Sequence, residues 1–239
     1  MQSSIQTIPL TNLALAFIPV AIALFILIKW SLNAKSAVYA LTRMLGQLLL
    51  IGYFLSFIFE SESSLVVLLV LSVMVFSSSW IALRTVEKQR LQLFRFALLS
   101  VVIGGGSTLV VISQLVLQLK PWFLPHYMIP LAGMIFATSM NSVSLAAERL
   151  SSELKRGEEF IEARRSAIEA SLIPAINSLL AVGLVSLPGM MTGQILSGVS
   201  PLVAVRYQIM VMCMVFAASV ICAALFLVLS KKSFLDRNE

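Results

Sequence analysis

The chain has 239 residues, 59% of them hydrophobic and 12% charged, with a mean hydropathy of +0.97 and a formal net charge of +6. A soluble domain is roughly half apolar and about a quarter charged. This composition excludes a water-soluble fold, because no core of this size could bury so much apolar surface. The positive balance reads as Lys and Arg that orient a membrane protein, not as a nucleic-acid surface.

Seven apolar runs follow one another, at residues 8–28, 38–59, 65–83, 93–119, 128–147, 168–187 and 209–229. Each is long enough to cross a hydrocarbon layer of about 30 Å, which takes about 20 helical residues. Inside lipid the backbone finds no outside hydrogen-bond partners, so the spans must be helices. The expectation is an all-α membrane protein of about seven transmembrane helices, forming one transmembrane domain over residues 1–239. The first ten residues carry no charge and Lys29 follows the first run. That order predicts an N-terminus outside and no signal peptide.

The connecting segments fix the orientation. Lys29, Lys35 and Arg43, then Arg84, Lys88, Arg90 and Arg95, then Arg149, Lys155, Arg156, Arg164 and Arg165, then Lys231, Lys232 and Arg237 all fall on one side. These are fifteen of the seventeen basic residues, and only Lys120 and Arg206 fall on the other side with the acidic loop around Glu60 and Glu62. The bias predicts a cytoplasmic C-terminus.

Residues 148–166, ERLSSELKRGEEFIEARRS, form a charged cytoplasmic segment. It suits a helix continuing the fifth span into water, with a break near Gly157. Arg149 and Glu153, and Arg165 and Glu169, stand four apart and can pair on a helix face. Gly104-Gly105-Gly106 lies inside an apolar run and lacks the lysine of a phosphate loop. It is expected to permit close helix packing or a bend. Cys213 and Cys222 lie nine residues apart on one run, on opposite helix faces, and cannot bridge.

No catalytic constellation is visible, and the lone His126 sits between prolines in an outer loop. Polar residues at membrane depth carry more information, because lipid makes them costly. Arg43 and Gln47 lie four apart at the inner end of the second run, as structural or gating residues. Asn177 lies in the sixth. Residues 187–210, LPGMMTGQILSGVSPLVAVRYQIM, put prolines and glycines between two spans. Irregular backbone there is tolerated only where protein or a water-filled cavity covers it. Arg206 and Tyr207 are expected at its interfacial edge. Methionine sulfur is a soft ligand as well as an ordinary gap-filler. The transport-pathway candidates are therefore Asn177, Met190, Met191, Thr192, Gln194 and Met134, with no metal-ligand set defined. The residues alone leave open a secondary transporter or channel, and a non-transporting membrane scaffold.

The stretch SLIPAINSLLAVGLVSLPGMMTGQILSGVSPLVAVRYQIMVM resembles the signature of the FetB-type family of ABC-transporter permeases. The likeness extends to RMLGQLLLIGYFL from Arg43 and MIPLAGMIFATSMNSVSLAAERL from Met128. The family includes bacterial iron exporters and plant aluminium-tolerance proteins. The resemblance implies a homodimeric, multi-pass subunit of the plasma membrane, the bacterial inner membrane. Two copies of a separate ATP-binding subunit would pair with it. It implies metal-ion export, with iron as the bacterial cargo and ATP hydrolysed by the partner. The chain itself would be no enzyme and would bind no cofactor. Under that reading Glu153, Arg156, Glu159, Arg164 and Arg165 would couple the helices to the ATPase. The chain departs from the family pattern in having Ala137-Thr138 in place of Gly-Asn, and in a shorter stretch before the sixth helix.

Overall fold

The computed structural model describes residues 8–60 and 63–235. Residues 1–7, Ser61 and Glu62 of the acidic loop, and Arg237 of the basic C-terminal group lie outside the described residues. The described chain is helical, with an isolated bridge between Val182 and Ser186 at one turn. Among the described residues, five helical stretches are long and apolar enough to cross a membrane. Contacts divide the chain into two units, residues 1–61 and 62–239.

The first unit is a helical hairpin. Helix α1 (Leu10–Lys29) and helix α2 (Ala34–Glu60) are joined by a tight turn in which Ser31 takes φ 56°. Asn33 caps α2, its Oδ1 accepting the Ser36 N–H at 3.1 Å. No residue of the apolar window of α1 is buried within the protein. A helix this apolar and this bare is built for lipid.

The second unit holds the packed core. The stretch Ser64–Val116 is 53 residues long. Straight, it would extend about 80 Å, far beyond a bilayer. It folds back instead at the 3-10 turn Leu83–Gln89, where Val86 leaves helical geometry (φ −121°, ψ 50°). Helix α3 (Ser64–Ala82) and helix α4 (residues 90–116) are thus two antiparallel arms. Arg90 holds the corner: its guanidinium donates twice to the Trp80 carbonyl, at 2.7 and 3.1 Å, and lies 3.8 Å over the Trp80 ring.

Helix α5 (Pro125–Lys155) is the central element, packed against α3 and the two long helices that follow. These are α6 (Phe160–Ala181) and α8 (Pro201–Leu229). The short helix α7 (Gly189–Leu196) lies between them and packs on α8, and α9 (Lys231–Leu235) ends the description. Among the described residues seven long helices correspond to the seven apolar runs, and α6, which carries Glu162, Arg164, Arg165 and Glu169, is not one of those apolar enough to cross a membrane.

Two boundaries differ from the apolar pattern. The sixth helix starts at Phe160, not 168, because its first turns are amphipathic and bury Phe160, Ala163 and Ala167 while Arg164 and Arg165 point outward. It stops at Ala181, before Gly183 at φ 81°. The last long helix, α8, starts at Pro201, where proline fits the first turn and Ser200 Oγ accepts the Val203 N–H at 3.5 Å.

The triple glycine behaves as a close-packing device. A Cβ on Gly104 would stand 2.8 Å from Cys222 Sγ and 3.2 Å from the Cys222 backbone nitrogen. A Cβ on Gly105 would stand 3.2 Å from both Ile135 Cγ2 and Phe136 Cε1. Here α4 widens into a π-helical turn, Val101–Gly105. Thr108 Oγ1 donates to the Gly104 carbonyl at 2.8 Å. Cys222 is buried and Cys213 exposed, both as free thiols on opposite faces.

Candidate functional site

The charged segment resolves into a helix end, a turn and a helix start. Helix α5 runs on to Lys155, Gly157 reverses the chain at φ 89°, and α6 begins at Phe160. Glu153 is buried at 6% exposure. Its Oε1 accepts from Arg149 at 2.6 Å and lies 3.5 Å from Arg156. Arg165 Nε meets Glu169 at 3.2 Å in the open. Both pairs follow the spacing read in the sequence. Glu159, Arg164 and Arg165 are exposed around the turn. Beside it opens a cavity of about 530 Å³ lined by Arg84, Lys88, Lys155 and Glu87 together with Val86, Leu154 and Phe234.

The pathway candidates separate into two groups. Met134 on α5 and Met190 on α7 are half-buried and pack against one apolar cluster with Met128, Val211 and Met214. Gln194, on α7, has its Oε1 buried without a hydrogen-bond partner. Thr192 donates Oγ1 to the Pro188 carbonyl at 3.2 Å, which ties it to its own helix. Met191 is half-buried, and Asn177 on α6 is exposed. Arg206 is exposed and Tyr207 half-buried on the first turns of α8. Arg43 and Gln47 are exposed on α2, in the other unit.

One residue escaped the sequence reading. Gln208 is 5% exposed, on the face of α8 that also buries Ala204 and Val211. Its Oε1 has no hydrogen-bond partner. The signal was present, as a lone amide four residues after one small residue and three before a valine on the same helical face. The neighbouring Arg206 and Tyr207 are more conspicuous by type. Among the described residues no three His, Cys, Asp or Glu side chains gather as a metal site.

A second cavity, about 610 Å³, opens between α3, α4 and α5, with Ser72, Ser113 and Gln114 as polar groups among Leu71, Val102 and Phe136. The Gln114 amide donates to Ser113 Oγ at 3.2 Å, so that polar end is partly satisfied.

No solved structure matches the chain. Among curated proteins, a UPF0014 membrane protein of Synechocystis is 40% identical over 188 residues, 71% of each chain. The "Probable iron export permease protein FetB" of Escherichia coli is 31% identical over 95% of this chain and 93% of its own. The "Protein ALUMINUM SENSITIVE 3" of Arabidopsis thaliana is 31% identical over 84% of this chain and 79% of its own. The model of the family described as "Uncharacterised protein family (UPF0014)" matches residues 10–235, and this multi-pass membrane protein belongs to that family.

Proposed function

We infer that the chain is the membrane-spanning permease subunit of an ATP-driven transporter that exports metal cations. The observation that carries this reading is similarity over nearly the whole length of both chains to a protein named as a probable iron export permease. The architecture supports it. A bundle of apolar helices ends, on the side of the Gly157 turn, in a charged hairpin beside a cavity lined by Arg84, Lys88, Lys155 and Glu87. Glu153, Arg156, Glu159, Arg164 and Arg165 are the coupling surface in this account, and a separate subunit hydrolyses ATP. Two copies of this chain make the pathway, in the plasma membrane, with the Gly157 turn cytoplasmic and the N-terminus outside. Both units belong to one transmembrane domain. Binding ATP shifts the bundle only to the extent that the partner binds its two states differently.

A gradient-driven transporter or channel would need titratable groups or ion ligands at membrane depth. The buried carboxylate among the described residues, Glu153, sits at the far end of α5 between two arginines. That placement favours coupling over ion relay.

The test is reconstitution of the full chain with the ATP-binding subunit that co-purifies from its native membrane. ATP hydrolysis is followed across Fe, Mn, Co, Ni, Cu, Zn and Al. Stimulation by a metal cation is the expected result. A chain that purifies without any ATP-binding subunit, or a complex indifferent to every metal, contradicts the reading.

A further inference from the structure

The cavity of about 530 Å³ at the corner between α3 and α4 carries charges that the bundle itself does not use. Arg84, Lys88 and Lys155 line it with a single carboxylate, Glu87, so the lining holds two positive charges in excess. Among the described residues, neither Lys88 nor Lys155 pairs with a carboxylate, and Glu87 pairs with no cation. The three basic side chains are exposed, whereas Leu154 and Phe234, which line the same cavity, are buried. Ligand pockets span about 300–1,000 Å³, so the space suits a small group. Its depth follows from α3. That helix has 19 residues. They rise about 28 Å, close to the hydrocarbon layer of about 30 Å. The residues just beyond its end, Arg84 to Lys88, therefore stand at headgroup level. Trp80, 40% exposed on the last turn of α3, fits the aromatic belt found at that level.

We infer that this cavity binds the phosphate headgroup of an anionic phospholipid. A guanidinium meets a phosphate through two parallel N–H donors, and ammonium groups add point charges. Basic pockets at the ends of membrane helices hold anionic headgroups by these forces. The charge balance narrows the class. Two excess positive charges match a phosphodiester, whereas a polyphosphate would bring more negative charge than the lining offsets and would face Glu87. Free phosphate shares the headgroup's chemistry but gains nothing from Leu154 and Phe234. The glycerol and first methylenes of a lipid gain from burial against them. A headgroup held here ties the Leu83–Gln89 turn to the end of α5, one residue from Glu153. Lipid composition would then set the stability of that end of the bundle. The inference requires only that the chain spans a membrane, whatever cargo it carries.

The test is thermal unfolding of the purified full chain in neutral-detergent micelles, titrated with phosphatidylglycerol, phosphatidylcholine or inorganic phosphate. Ligand that binds only the folded state raises the unfolding temperature. Wild type should rise with phosphatidylglycerol and not with phosphatidylcholine. An equal rise with phosphatidylcholine overturns the site, and an equal rise with inorganic phosphate at the same concentration reassigns it to a soluble anion and overturns the lipid. The double variant Lys88→Gln/Lys155→Gln should need at least about tenfold more phosphatidylglycerol for the same rise. Lys29→Gln/Lys35→Gln removes the same charge from exposed positions of the α1–α2 hairpin and should respond as wild type. Glu87→Gln removes the repelling carboxylate and should need about fivefold less phosphatidylglycerol. If the Lys88→Gln/Lys155→Gln variant does not fold, Glu87→Gln carries the test. A cavity variant that responds as wild type, or a hairpin variant that loses as much as the cavity variant, overturns the inference.

Discussion

The two ends of the packed unit bury different kinds of polar group: a paired carboxylate beside the Gly157 turn, where Arg149 Nε and Gln89 Oε1 stay without partners, and two unpaired amide oxygens on α7 and α8. At the Gly157 end of α5, the buried carboxylate of Glu153 is held by two arginines. At the α7–α8 junction, Gln194 and Gln208 bury amide oxygens with no partner. A buried charge left unpaired costs several kcal/mol, so it must be compensated inside the fold. A neutral amide costs about 1–3 kcal/mol when unpaired, little enough for a fold to carry. The first end therefore compensates its buried charge within the fold. The second buries neutral amides only.

That contrast can be broken by substitution. The largest effect should come from neither end but from the crossing that holds them in register. Gly104→Val places new atoms against Cys222, where even a Cβ stands 2.8 Å from Sγ. A loss of about 3 kcal/mol is expected from such overpacking, read as a lower unfolding temperature in micelles. Unchanged stability would mean that α4 and α8 separate easily.

Glu153→Ala should cost about 1–2 kcal/mol, at the lower side for a buried pair, because Arg149 is partly exposed and can rehydrate. It should also weaken binding of the ATP-binding subunit, measured by co-purification. Gln208→Leu should move the other way, stabilising the chain by about 1 kcal/mol as the unpaired amide disappears. A destabilised Gln208→Leu variant would show that the amide is structural. The smallest effect is assigned to Arg165→Ala, whose exposed pair with Glu169 contributes within about 0.5 kcal/mol. Its stability should match wild type even where ATPase coupling drops.

Much of this was legible in the sequence for a physical reason. Lipid forces each span to be a long apolar helix, and seven runs announce seven helices without any knowledge of their packing. The Arg149–Glu153 pair followed from helix geometry alone, since residues four apart must meet. Gly104 announced a close crossing because nothing larger fits one. The start of α6 was hidden, because an amphipathic first turn carrying Glu162, Arg164 and Arg165 reads as loop in a hydropathy scan. Asn177 reads as a pathway residue by type, and it stands exposed on α6. Gln208 was missed for the converse reason. A single amide in an apolar run has no periodic signature, and only the packed neighbours show that it is buried without a partner.

The most direct measurement is ATP-driven Fe(II) uptake into inside-out proteoliposomes that contain the full chain and its ATP-binding subunit. The account predicts uptake that requires ATP. Vesicles that move no metal cation on addition of ATP would contradict it.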